Sequence, residues 1–101
     1  MKLIDADAIV RSKNAGPFRI TLDVIFKDRA QFEEMKKSGV WNRDTLTILY
    51  RLKPEEINEC LIYEPAMAFK CTWQRRISSG AFGDTDIYGA QQHLPLYNLI
   101  F

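Results

Sequence analysis

The amino-acid sequence predicts an α+β two-layer sandwich, in which helices pack on one face of a sheet. Two stretches alternate apolar and polar residues, which is typical of half-buried strands, and two helical patterns with capping residues lie between them. The chain has 101 residues, and a single hydrophobic core serves chains of up to roughly 250 residues. We therefore predict one domain that spans residues 1–101.

The first quarter of the chain predicts a helix, a turn and a strand. Apolar residues recur at helical spacing between Leu3 and Arg11, which favours a short helix there. Gly16 tolerates positive φ and Pro17 restricts the residue before it to extended conformations, so together they predict a tight turn. From residue 18 the apolar period changes to two, and the strand predicted there directs one row of side chains to the core: Phe18, Ile20, Leu22, Val24 and Phe26.

Two helices are predicted next. Asp28 can cap a helix that runs to about Lys37, with Gly39 as its stop. Asn42 can cap a second helix, in which apolar residues recur at helical spacing as far as Tyr50. We expect these two helices to form one layer.

The second half of the chain predicts three more strands. A helical turn at Pro54 leads into a strand over residues 57–63, and residues 67–73 alternate between apolar and polar side chains. Residues 94–101 form the last predicted strand. This order suits a ferredoxin-like antiparallel sheet of about four strands, with its second helix shortened or replaced by a loop. Residues 77–93 exceed the roughly 15 residues usual for a structureless connection, which indicates a functional segment.

Charge and hydropathy argue against two classes of partner. Fourteen Lys and Arg against thirteen Asp and Glu leave a net charge of +1, so no overall field attracts nucleic acid or an anionic membrane. No apolar run approaches the roughly 18 residues of a membrane span. We therefore expect a cytoplasmic protein with no nucleic-acid and no membrane partner. Cys60 and Cys71 lack the spacing of a zinc site, so we expect reduced thiols and no metal site.

The size of the chain favours a subunit or a binding module. A domain this small retains little interior for an enclosed pocket once its core is packed. Six Phe, four Tyr and two Trp also give the chain a large apolar side-chain surface for its size. We therefore expect part of the surface to contact another chain, either a different protein or a second copy.

A first polar block precedes Gly16 and consists of Arg11, Ser12, Lys13 and Asn14. Two cations, a hydroxyl and an amide beside a permissive backbone can form a cradle for a carboxylate or a phosphate. The alternative is that Arg11 and Lys13 favour the C-terminal dipole of the first helix, while Asn14 and Gly16 end it.

A second polar block lies in the long connection, among glycines, and its candidate residues are Asp84, Asp86, Tyr88, Gln91, Gln92 and His93. Two carboxylates and a histidine can serve as an acid and a base, or as ligands of a hard metal ion. The alternative is that these side chains hydrogen-bond their own backbone in successive turns and cap strand ends.

A third basic group consists of Lys70, Arg75 and Arg76. Lys70 points away from the apolar row of its strand, as Asp23 does on the earlier strand, which favours a solvated sheet face. The outward residues of these strands are Lys, Thr and Gln, so the aromatic pattern of an RNA-binding sheet is missing.

The two polar blocks carry a family resemblance. The run RSKNAGPF at residues 11–18 followed by TLD at 21–23, and GDTD at 83–86 with YGAQQH at 88–93, resemble the signatures of the DUF4387 family. The resemblance spans nearly the whole chain. It implies a small protein or C-terminal domain associated with AtuA-like proteins of the acyclic terpene utilisation type.

The resemblance also implies an activity. Genes of this kind accompany those for the breakdown of branched or unsaturated carboxylic acids such as mesaconate, so we expect the small subunit of a hydratase or lyase that works with an AtuA-like large subunit. The chemistry of that reaction would assign binding of a small carboxylic acid to Arg11–Asn14, Tyr88, Gln91 and Gln92, and proton transfer to Asp84, Asp86 and His93. The alternative is a non-catalytic assembly or regulatory module. The sequence does not identify a cofactor.

Overall fold

The structure, a computed structural model, describes residues 1–75 and 94–101. Its strands are β1 (Ala8–Asn14), β2 (Arg19–Phe26), β3 (Ile57–Tyr63) and β4 (Ala68–Gln74), and its α-helices are α1 (Arg29–Ser38) and α2 (Arg43–Tyr50). Short 3-10 turns cover Leu3–Asp5, Pro54–Glu56, Glu64–Ala66 and Leu94–Asn98. Within these two described ranges, no helix has the length and apolar character needed to cross a bilayer.

The four strands form one antiparallel sheet in the order β1-β2-β4-β3. Two hairpins, β1–β2 and β3–β4, flank the helical pair in sequence and join through β2 and β4 at the centre of the sheet. Phe32 and Met35 of α1 and Leu46 of α2 share one core with the inward side chains of these central strands. The predicted α+β class is therefore confirmed, and the fold is compatible with a ferredoxin-like sandwich.

The caps predicted for the two helices are confirmed. The Asp28 side chain accepts a hydrogen bond from the backbone N–H of Gln31 at 3.1 Å, and Gly39 ends α1 with a φ of 69°. The Asn42 side chain accepts one from Thr45 at 2.8 Å. These side chains satisfy backbone donors that the first turn of a helix leaves unpaired.

The period-two pattern of β2 is confirmed with one exception. Ile20, Leu22, Val24 and Phe26 are at most 2% exposed. Phe18 was predicted in the same row, but this is wrong, because it lies before β2 and is 59% exposed. The backbone is still turning there, after Gly16 at a φ of 80°.

Residues 3–11 do not form the predicted helix. After the turn at Leu3–Asp5 the chain enters β1, which pairs with β2 from Ala8↔Phe26 to Asn14↔Ile20. Short helices are marginal in water without tertiary support, whereas a strand here gains a full ladder of hydrogen bonds to a central strand. Tertiary pairing therefore outweighs the local apolar spacing.

Residues 94–101 do not form the predicted strand either. They contain the turn Leu94–Asn98 and one isolated β-bridge, Lys2↔Ile100. Leu96 and Leu99 are buried in the core, since a spacing of three suits the pitch of a 3-10 turn. The fourth strand of the sheet is thus β1. The predicted connection over residues 77–93 lies outside the described residues.

Aromatic rings fill the space between the two layers. The ring centroid of Phe69 lies 5.7 Å from that of Phe26, 5.2 Å from that of Phe32 and 5.8 Å from that of Trp41. Two of these pairs are edge-on, which is a favourable geometry for aromatic rings, and the Phe32 pair is tilted. One sheet face is therefore committed to the core, and the other face does not pack on the helices.

Candidate functional site

Three charged residues face one another on the open face of the sheet, opposite the face that packs on the helices. Strand register places Asp23 of β2 between Arg11 of β1 and Lys70 of β4. Arg11 Nε donates a hydrogen bond to Asp23 Oδ2 at 3.2 Å, and Lys70 Nζ lies 3.7 Å from Asp23 Oδ1. Arg11, Asp23 and Lys70 are termed the charged row below.

The three side chains differ sharply in exposure. Asp23 is 1% exposed, whereas the side chains of Arg11 and Lys70 are 54% and 45% exposed. Asp23 Oδ1 is buried and accepts no hydrogen bond from any residue within 1–75 or 94–101. A buried carboxylate is costly unless cations pair with it, so Arg11 and Lys70 stabilise Asp23 while their outer sides face solvent.

The charged row can bind an anion. Its two cations and one carboxylate leave a net charge of +1. A guanidinium carries five N–H donors and an ammonium three, and the contacts to Asp23 use only a few of them. Arg11 and Lys70 can therefore bind a carboxylate from the solvent side, with Asp23 fixing their positions from below.

The cross-strand rows on either side of the charged row differ in polarity. One is polar and consists of Lys13, Thr21, Thr72 and Glu59. The other, termed the apolar row, consists of Ile9, Ile25, Ala68 and Tyr63. Ile9 and Tyr63 are 46% and 50% exposed. The charged row thus lies between a hydrophilic strip and an apolar strip whose two outer residues, Ile9 and Tyr63, are exposed.

The first polar block is split between the two faces of β1. Arg11 and Lys13 lie on the open face, whereas Ser12 pairs with Leu22 towards the core and is 7% exposed. Asn14 Oδ1 accepts a hydrogen bond from Arg75 Nη1 at 2.6 Å. The structure thus brings Arg11 and Lys13 to one surface and does not bring Ser12 there. Because the block lies in a strand, the alternative that it ends a helix is wrong.

The second polar block lies outside the described residues, so the roles of Asp84, Asp86, Tyr88, Gln91, Gln92 and His93 stay predictions. The chain leaves β4 beside the turn between β1 and β2. There the backbone N–H of Arg75 donates to Phe18 O at 2.6 Å. In the two ranges that are described, no group of three or more His, Cys, Asp and Glu side chains can hold a metal ion.

Sequence patterns miss Asp23 as a candidate and indicate only a solvated sheet face for Lys70. Alternation correctly directs both away from the apolar rows, but it does not show which residues lie opposite each other on neighbouring strands. The available signal is a single acid in a central strand with bases in two other strands. Only the register of the three strands shows that these residues lie side by side.

Fold and site together define a small α+β domain that presents a row of opposite charges on one sheet face. The chain belongs to the family described as Domain of unknown function (DUF4387), whose model matches residues 3–100. The family resemblance of the two polar blocks is therefore confirmed. No curated protein and no solved structure gives a significant match.

Proposed function

We propose that the chain is the small subunit of a two-component hydratase or lyase that acts in the cytoplasm on an unsaturated or branched carboxylic acid. Its partner in this proposal is an AtuA-like large subunit, as the family resemblance implies. The charged row is the observation that supports it, because two half-exposed cations are held by a buried carboxylate on an open face.

Addition of water to a carbon–carbon double bond next to a carboxylate makes two demands on a site. The hydroxyl group bonds to the β-carbon while negative charge develops on the carboxylate side, and cations stabilise that charge. A base removes a proton from the attacking water, and an acid delivers one to the α-carbon. The reverse reaction uses the same groups in the opposite order.

The chain offers residues for both demands. Arg11 and Lys70 would bind the substrate carboxylate, and Asp23 would be a positioning residue beneath them. Lys13 adds positive charge to the same face. Proton transfer is assigned on sequence grounds to the second polar block, with Asp84, Asp86 and His93.

The open face would form one wall of a shared site. A sheet face is nearly flat, whereas binding sites enclose most of the surface of a small ligand. The helices already occupy the other face of the sheet. In this proposal the large subunit closes the site from the solvent side of the charged row.

A non-catalytic assembly or regulatory module is the second candidate, and the apolar row favours it. Ile9 and Tyr63 expose about half of their surface beside the charged row. Exposed hydrocarbon bordered by charged groups is typical of a protein interface. In this candidate Arg11 and Lys70 bind acidic side chains of the large subunit instead of substrate.

The test is to co-express the chain with an AtuA-like large subunit, purify the complex and assay hydration of mesaconate and related unsaturated acids by loss of ultraviolet absorbance. Arg11→Gln and Lys70→Gln should each lower kcat/KM on the order of 10- to 100-fold, mainly through KM, because a hydrogen bond to a charged group contributes about 1.5–3 kcal/mol. Lys37→Gln, at an exposed position of α1, is the matched control and should leave kcat/KM unchanged.

The two candidates differ in which step a variant affects. Under the hydratase proposal, Arg11→Gln and Lys70→Gln still co-purify with the large subunit, and Asp84→Asn abolishes turnover in an assembled complex. Under the assembly candidate, Arg11→Gln, Lys70→Gln and Ile9→Glu no longer co-purify with the large subunit. Full turnover by an assembled Lys70→Gln complex would rule out the catalytic proposal.

A further inference from the structure

Two cysteines lie directly opposite each other on neighbouring strands, on the core face of the sheet. The register of β3 and β4 pairs Cys60 with Cys71, and both are free thiols. Opposed residues of antiparallel strands have Cα atoms about 4.5 or 5.5 Å apart, which lies inside the roughly 4.4–6.8 Å that a disulfide spans. The backbone spacing therefore allows a disulfide between these two side chains.

The two thiols differ in access. β3 is an edge strand of the sheet, and Cys60 on it is half-buried. Cys71 on β4 is fully buried in the core. An oxidant from solvent can reach Cys60 but not Cys71.

The two thiols also differ in acidity. A hydrogen bond from the Cys71 thiol lowers the pKa of Cys60, and the Arg43 guanidinium lowers it further against the effect of burial. The same hydrogen bond and burial raise the pKa of Cys71. Arg43 is held in place because its Nη1 donates to Ile57 O at 2.6 Å, at the start of β3. Cys60, the more accessible thiol, is thus the better nucleophile, since the thiolate is the reactive form.

We propose that Cys60 and Cys71 form a peroxide-sensitive dithiol site, in which Cys60 is oxidised first and Cys71 converts it to an intramolecular disulfide. This site is independent of the proposed function. The Cys60 thiolate attacks hydrogen peroxide, the O–O bond breaks, and Cys60 becomes a sulfenic acid as hydroxide leaves and is protonated. The Cys71 sulfur then attacks the Cys60 sulfur, and the S–O bond of the sulfenic acid breaks. The hydroxide released from the sulfenic acid takes the Cys71 proton and leaves as a second water. Two thiols and one peroxide give one disulfide and two waters.

The site is tested on the reduced full chain with one equivalent of hydrogen peroxide. Both thiols should be lost together, the monomer mass should fall by two hydrogen atoms, and a peptide map should show Cys60 linked to Cys71. Dithiothreitol should restore both thiols. Free thiols after peroxide has been consumed, or a disulfide between two chains, would overturn the proposal.

The order of reaction is tested separately. Cys71→Ala should stop at a sulfenic acid on Cys60 that dimedone traps, whereas Cys60→Ala should leave Cys71 unreactive while the chain is folded. Limiting iodoacetamide on the wild-type chain gives a second measurement that does not depend on either variant folding. It should label Cys60 at least about tenfold faster than Cys71, because burial and a raised pKa both slow a thiol. Equal labelling of the two would contradict the assigned roles.

Discussion

The two faces of the central strands β2 and β4 consist of alternate residues of the same chain segments, yet they are specified in different ways. On the core face, Leu22 and Phe69 are fully buried, and the alternation within each strand is enough to predict it. On the open face, the contacts of Asp23 with Arg11 and Lys70 depend on the register of three strands. Apolar burial is thus a property of one strand at a time, whereas charge pairing is a property of the assembled sheet.

Removing a ring from the core face should have the largest effect on stability. Phe69→Ala should lower the free energy of unfolding by about 3–5 kcal/mol, because the cavity loses contact with three neighbouring rings. Ile9→Ala, at a half-exposed position on the open face, is the control and should cost less than about 1 kcal/mol. Urea denaturation followed by tryptophan fluorescence measures both. Similar losses for the two variants would contradict the contrast between the faces.

Neutralising the carboxylate of the charged row should have an intermediate effect. Asp23→Asn keeps the side-chain shape but leaves Arg11 and Lys70 without an opposite charge. We expect a loss of about 1 kcal/mol, below the value for a fully buried pair, because solvent screens both half-exposed cations.

Salt separates this loss from a simple packing defect. Raising the ionic strength should reduce the Asp23→Asn penalty, since salt screens the repulsion between the two cations. Glu34→Gln, at an exposed position of α1, is the matched control and should change stability little at any salt concentration. A penalty for Asp23→Asn that is the same at low and high salt would show that shape, and not charge, holds the row together.

The smallest effect at neutral pH concerns Tyr50, which packs on Trp73 with a centroid distance of 4.6 Å. Burial raises the pKa of Tyr50. Because the folded chain keeps this phenol neutral, its contribution to stability is present below the unfolded pKa of about 10 and is lost as the pH rises above it. Tyr50→Phe should therefore flatten the fall in urea midpoint between about pH 9 and pH 11. Tyr63→Phe is the control on the open face, and an equal flattening by that variant would contradict the prediction.

Local signals account for the elements that the sequence predicts well. The caps Asp28 and Asn42 act on backbone groups within three residues, so their effect is visible in a short window of sequence. The strands β2 and β4 are predicted because their inward residues are apolar without interruption.

Long-range pairing accounts for the elements that the sequence predicts wrongly. Whether residues 3–11 form a helix or a strand depends on a free edge of β2, which no nearby residue indicates. The end of the chain is similar, because Leu96 and Leu99 fill the core from a 3-10 turn while only Ile100 forms a bridge. The charged row is not predicted for the same reason, since Arg11, Asp23 and Lys70 come from three separate segments.

The sheet order also has a consequence for the path by which the chain folds. Each hairpin joins residues close in sequence, whereas β2 and β4 join residues as distant as Arg19 and Gln74. Contacts between distant residues form late, because the entropy of closing a long loop must be lost first. We expect Arg11 to meet Asp23 within an early hairpin and Lys70 to arrive only when the two hairpins dock. We therefore expect the contact between Lys70 and Asp23 to form in the last step of folding, when the two hairpins dock.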